Sequence, residues 1–293
     1  MQWLFTTLGL FAARILSWIP LNGLFVLSDF SGFIFNRIFP YRKSVIDINL
    51  IHAFPHKKSE ELWFIRSKYY RHLADIIFET IKSISIAKKN LSNHIQLHHE
   101  SFSLLKKYEQ SGQSIFVILG HYGNWEWASL LAGLATPMPS YAIYAPTHNK
   151  TFNQFLLKNR ARFGCKLIAA NQLKMLYGNL QKQPSLVAFV ADQTPVDTEN
   201  AYWTKFLHIN TPFFKGYDAL AKRTNAIVLY ASIQKINRGV YEMHLKTITE
   251  HPQKESENYI VEQFARLLEC DILAQPEYWL WSHRRWKRAG IKY

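Results

Sequence analysis

Cysteine is scarce in this chain: Cys165 and Cys270 are the two among 293 residues, and no CxxC pair occurs. A disulfide framework and a cysteine zinc site are thereby set aside, and a reducing, cytoplasmic setting fits. No uninterrupted apolar run of about twenty residues is present, so no segment guarantees a transmembrane helix. No Lys or Arg precedes the first apolar stretch and no small-x-small site follows it cleanly, which disfavours a signal peptide. The chain lacks a GxSxG elbow and an HExxH pair, so serine-hydrolase and zinc-protease readings lose ground. It also lacks RNP, zinc-finger and helix-turn-helix signatures, repeats and low-complexity linkers, which argues against a nucleic-acid binder. Acidic residues are in deficit, 21 against 35 Lys and Arg, giving a formal charge of +14. An anionic partner follows from that imbalance.

What is present begins with "MQWLFTTLGLFAARILSWIPLNGLFVLSDFSGFIFNRIF", apolar but interrupted by Arg14, Pro20 and Asp29. A tilted span, an interfacial anchor and a buried hydrophobic helical pair all remain open. Arg37, Arg42 and Lys43 follow it and suit a cytoplasmic flank against anionic lipid. Residues 1–43 are therefore read as a hydrophobic membrane anchor and 44–293 as one catalytic-type domain.

Within that domain, a helix is expected after Pro55, with Ser59 as its N-cap. From Ser114 the rhythm changes to strand and helix in alternation: "SIFVILG", "NWEWASLLAGLA", "SYAIYAP", "FNQFLLKNRARFG", "KLIAA", residues 173–180, "SLVAFVAD", residues 217–223, "AIVLYASI", "YEMHLKTI" and residues 259–273. The order predicts an α/β fold, a central mixed sheet with helices on both faces behind an N-terminal hydrophobic helical extension.

"GHYGNWEW" places His121 and Glu126 five positions apart just after a strand. In an unbroken helix that spacing turns through about 500°, so the two share no face and need a turn. Gly123 supplies backbone freedom and Asn124 a good N-cap, leaving His121 in the loop and Glu126 in the first helical turn. A carboxylate there is favoured by the helix N-terminus and would orient His121 as a general base; a histidine merely satisfied in a turn is the other reading. "LHHE", His98 to Glu100, lacks a third ligand and is given no metal site.

The sequence resembles the lipid A biosynthesis acyltransferases, the late lauroyl or myristoyl transferases within the lysophospholipid-acyltransferase-like superfamily. The resemblance rests on the hydrophobic N-terminus, "RKSVIDINLIHAFP", "GHYGNWEW", "RARFG", "VAFVADQ", "TPFFKG" and "PEYWLWSHRRWK", in that order. It implies transfer of a fatty acyl chain from acyl carrier protein to a hydroxyl of a lipid A precursor, at the cytoplasmic face of the inner membrane. The catalytic pair is then His121 with Glu126, and no metal or cofactor is required. Substrate-binding candidates are Asn124, Arg162 before Phe-Gly, Asp192 and Gln193 at a strand's end, and Arg284 and Arg285 in the basic C-terminal stretch beside Trp281 and Trp286. Two departures bear on specificity: the glycine usual after "ADQ" is missing, and Ala145 stands where a basic residue is common. The competing expectations are an acyltransferase acting on another membrane lipid, a glycerolipid or aminolipid with acyl-CoA as donor, and a non-catalytic lipid-binding protein.

Overall fold

The computed structural model describes residues 2–147 and 149–293, with side chains from Thr6 onward. Met1 of the expected anchor and His148 of "YAPTHN" lie outside the described residues.

Helix α1 (Gln2–Leu16) and α2 (Leu21–Phe33) form the N-terminal extension, separated at Pro20, which has no backbone N–H and sits at the start of α2. Leu8, Phe11, Ile15 and Trp18 are exposed on the first piece, and Val26, Phe30 and Phe33 on the second. No described helix is long and apolar enough to cross a membrane. The opposite face of α2 buries Leu24, Phe25 and Ser28 against α4 (Ser59–Lys82). Ser28 donates to the Asp75 carboxylate at 2.7 Å, and Arg238 clamps both Asp29 and Asp75. The extension is thus tied to the domain through α4. Helix α3 (Lys43–Ala53) intervenes. Ser59 is the first helical residue rather than the cap: Lys58 takes that position and its backbone N–H donates to Glu61.

The sheet has seven strands in the order β1 (Ile95–Leu97), β9 (Val240–Thr249), β8 (Ile227–Asn237), β2 (Ile115–Leu119), β5 (Leu186–Val190), β3 (Ser140–Tyr144), β4 (Lys166–Ala169). It is parallel throughout except where β8 meets β9, so it is mixed. All five residues of β2 are buried, as an apolar run in a strand covered on both faces should be. Phe116 and Ile118 face a core that includes α4, α9 (Gly216–Thr224), α10 (Tyr259–Ala274) and Trp279, Trp281 and Trp286. Ile115, Val117 and Leu119 face α5 (His99–Glu109) and α6 (Trp125–Ala135). Helices α7 (Lys150–Arg160) and α8 (Leu173–Leu180) complete the alternation.

A separate hairpin, β6 (Tyr202–Phe206) and β7 (Ile209–Phe213), turns at Leu207 and His208, both with positive φ. Residues 276–293 then fold back across the domain. Asn49 donates to the carbonyls of Trp281 and His283 and accepts from the Tyr293 hydroxyl, while Arg42 donates to the Ser282 carbonyl.

Candidate active site

Strands β2 and β5 are neighbours and end at the same edge, where the Ala191 N–H donates to the Leu119 carbonyl. Open α/β sheets present ligand-binding groups at the carboxyl ends of such strands. His121 leaves β2 there and Asp192 leaves β5. The turn between β2 and α6 needs Gly123 at φ +61°, and a Cβ there would sit 2.4 Å from the Ile233 carbonyl oxygen. Asn124 caps α6, its Oδ1 accepting the Trp127 N–H at 2.9 Å.

His121 and Asp192 meet twice. Nδ1 lies 2.6 Å from Asp192 Oδ1, and the His121 backbone N–H donates to Oδ2 at 2.9 Å. Oδ2 also accepts the Trp279 indole N–H at 2.8 Å. Burial alone would raise this carboxyl; the His121 charge and the converging donors outweigh it and hold it down at about 2. An ionised carboxylate only accepts, so Nδ1 carries a proton, which in the neutral ring leaves Nε2 as the nitrogen with the lone pair. Gln193 Nε2 lies 3.2 Å from that nitrogen. The ring packs edge-on to Trp125, with centroids 5.3 Å apart.

The hydrogen bond expected between Glu126 and His121 is replaced by another. Glu126 commits both carboxylate oxygens to Arg160, at 2.6 and 2.9 Å, in a bidentate pair. A guanidinium fork matches a carboxylate better than one imidazole nitrogen does, which accounts for the exchange of partners. The turn therefore carries two adjoining pairs, His121 with Asp192 and Glu126 with Arg160.

The remaining expected contacts divide. Gln193 stands at the site, lining a cleft of about 440 Å³ with Tyr41, Arg42 and His283. Burial pushes the His283 imidazole down to about 4, and its Nε2 accepts the Thr194 N–H. Asn124 is fully buried and committed to α6 and to Glu79. Arg162 gives its guanidinium to the carbonyls of Ser83 and Ile86, which anchors the end of α4 rather than reaching outward. Arg285 is also withdrawn: it is 0% exposed, donates to the Pro212 carbonyl and lies over the Phe213 ring at 4.5 Å. Arg284 is exposed, 5.9 Å over the Tyr293 ring. Cys165 is buried and Cys270 exposed, neither in a disulfide.

A second cavity, purely aliphatic and aromatic apart from Ser129, starts at Trp125 and runs beneath α6. Ala128, Ala132 and Ala135 form its roof, Val117, Leu119, Ala188 and Val190 its floor, and Met243 and Leu245 one wall. The small residues recur at spacings of three and four, which is one helix face. Sequence reading missed this pocket, the Arg160 partner and Trp279; an alanine stripe in "EWASLLAGLA" and the first arginine of "NRAR" were the available signals.

The family model described as "Bacterial lipid A biosynthesis acyltransferase" matches residues 1–288. The chain is similar to the "Lipid A biosynthesis palmitoleoyltransferase" of Escherichia coli (strain K12), 24% identical over 254 residues covering 85% of this chain and 80% of that protein. It is equally similar to a "Lipid A biosynthesis acyltransferase" of Shigella flexneri, with the same identity and coverage. The chain therefore belongs to the bacterial lipid A biosynthesis acyltransferase family and is an acyltransferase.

Proposed function

We propose that the protein transfers a fatty acyl chain from acyl carrier protein to a hydroxyl of a lipid A precursor, with His121 as general base. The observation that carries this is the His121–Asp192 pair. Its imidazole packs on Trp125, which lines the apolar pocket, and its Nε2 lies 3.2 Å from Gln193, which lines the cleft. Nε2 would take the acceptor hydroxyl proton as its oxygen attacks the thioester carbonyl. Collapse of the tetrahedral adduct breaks the C–S bond, and the imidazolium returns the proton to the leaving thiolate. Asp192 keeps Nδ1 protonated and stabilises the transient cation. Glu126, neutralised by Arg160, serves in this reading as a second acidic group of the catalytic turn, fixing the first turn of α6.

The pocket beneath α6 suits the acyl chain. From Trp125 to Ala135 the helix advances about 15 Å, the length of a saturated chain of roughly twelve carbons if C–C bonds of ~1.5 Å lie in a zigzag. Its free volume, about 60 Å³, is a narrow seam, so admission of a chain requires the flexible Met243 and Leu131 side chains to spread. The cleft bounded by Tyr41, Arg42, Gln193 and His283 is assigned to the acceptor, whose phosphate Arg42 would meet. The exposed apolar faces of α1 and α2, flanked by Arg14, Arg37 and Arg42, support attachment to the inner membrane's cytoplasmic face as helices lying in the interface. The charge of +14 supports an acidic carrier protein and an anionic glycolipid as partners.

The test is to incubate purified protein with acyl-carrier-protein thioesters of several lengths and a tetra-acylated lipid A precursor, following product mass for wild type and His121→Ala. One added acyl chain, lost in the variant, is the expected result. No added mass with any donor would overturn the assignment and direct the search to other membrane hydroxyls or amines.

A further inference from the structure

Glu79 sits on α4 with 0% of its surface exposed. Its Oε2 accepts two hydrogen bonds, from Asn124 Nδ2 at 2.7 Å and from the Tyr241 hydroxyl at 2.8 Å. Its backbone carbonyl accepts the Trp127 indole N–H at 2.9 Å. The other carboxylate oxygen, Oε1, is buried with no partner among the described residues. Burying a carboxyl with one oxygen unsatisfied is costly, so a residue serving only to fill this space would be apolar.

What Glu79 holds is the turn that carries His121. Asn124 is bonded at both ends of its carboxamide, its oxygen by α6 and its nitrogen by Glu79. Gly123 leaves no room for a side chain, since a Cβ would meet the Ile233 carbonyl, and it donates its N–H to the Tyr278 carbonyl. His121 is thus fixed at one end of the turn by Asp192 and at the other, three residues on, by a side chain from α4.

We propose that Glu79 is a positioning residue for acyl transfer: through Asn124 it sets the placement of the His121 imidazole. The proposal rests on His121 being the general base, and it separates the two bonds on Oε2. The bond to Asn124 reaches the catalytic turn, whereas the bond to Tyr241 reaches β9 and leaves the turn alone. Burial raises the Glu79 carboxyl to about 7, against the opposing pull of Lys235. A glutamine can therefore stand in, because one amide oxygen still accepts from Asn124 and Tyr241.

The experiment compares Glu79→Ala, Asn124→Ala, Glu79→Gln and Tyr241→Phe in full-length protein, in two readouts. In the transferase assay, the two alanine variants are expected to lower kcat about a hundredfold with KM for the acyl donor within about threefold, since misplacing a catalytic group by about 1 Å costs that much. Glu79→Gln should recover most of that loss, and Tyr241→Phe should leave kcat within about threefold of wild type. In parallel, the His121 Nδ1–H resonance in histidine-labelled protein should move in both alanine variants and stay in place in Tyr241→Phe. A kcat for Tyr241→Phe as low as for Asn124→Ala would overturn the proposal, since the network would then serve core integrity alone. An unmoved His121 resonance in folded Glu79→Ala would overturn it as well. If wild type transfers no acyl chain while the resonance shifts as described, the reaction assignment fails and the positioning role stands.

Discussion

Asp192 holds His121 at both its ring and its main chain, through Nδ1 at 2.6 Å and through the backbone N–H at 2.9 Å. One carboxylate thereby fixes the tautomer, the ring plane and the departure of the chain from β2. An asparagine in its place keeps the volume and removes the charge. Asp192→Asn is expected to lower kcat by about 10²- to 10⁴-fold with the fold intact by circular dichroism. Retention of a tenth or more of the rate would show that His121 needs no anionic partner.

Glu126 and Arg160 form a partly buried pair, and breaking one partner strands a charge. Arg160→Met is expected to destabilise the protein by roughly 3 kcal/mol, read as a shifted urea midpoint. Adding Glu126→Gln should return much of that stability. If the double variant is no more stable than Arg160→Met alone, the pair is not what Arg160 is there to satisfy.

Chain length should respond to the roof of the apolar pocket. Ala132→Leu places added methyl groups where a chain of about twelve carbons would lie by the helix-rise comparison. The product profile should shift to shorter acyl groups, with kcat/KM for the longest accepted donor reduced at least tenfold, read by product mass. An unchanged profile would place the acyl chain elsewhere.

Acid should weaken the fold through His283. Its imidazole is held at about 4 in the folded state against about 6.5 unfolded, by burial. A base depressed on folding contributes stability that is full above pH 6.5 and lost as pH falls toward 4. Asp192 acts in the same sense at lower pH, its contribution lost as pH falls from 3.8 through about 2, whereas Glu79 runs the other way between 4.5 and about 7. His283→Asn leaves those two groups in place. The midpoint difference between wild type and His283→Asn should therefore shift against wild type as pH falls from about 7 to about 4.5, and a constant difference would rule His283 out as the cause.

Membrane attachment should depend on the exposed row of the extension. Trp18 and Phe30 are 70% and 65% exposed, so replacing both with Ser leaves the core untouched. The affinity for anionic vesicles, read by co-sedimentation, is expected to drop about a hundredfold or more, since each buried aromatic adds roughly 1.5–3 kcal/mol. Undiminished binding would assign attachment to the basic residues alone.

The alternation of strands and helices was legible because buried parallel strands such as β2 and β5 appear as short apolar runs between turn residues. The β6–β7 hairpin was not. Its turn uses Leu207 and His208 at positive φ, where Asn or Gly would ordinarily announce a reversal, and Pro212 lies within β7. In the site, Gly123 and Asn124 revealed that His121 occupies a turn, since both are local requirements. Its partner was illegible for the opposite reason. Glu126 is near in sequence but faces Arg160, and Asp192 comes from 71 positions away because β5 lies beside β2. Arg285 misled by composition: a basic run looks like a surface, yet its guanidinium lies on Phe213 inside the domain.

The return of residues 276–293 across the domain has a kinetic consequence. Asn49 meets Trp281 and Tyr293 across 232 and 244 positions, and Trp279 meets Asp192 across 87. Closing loops of that length costs chain entropy before any contact offsets it, and such non-local pairings slow folding. In refolding, transferase activity should return no sooner than the slowest tryptophan fluorescence phase. A chain caught earlier would hold His121 without the indole that helps fix Asp192, so the His121–Asp192 pair would be complete only once the C-terminal segment has docked.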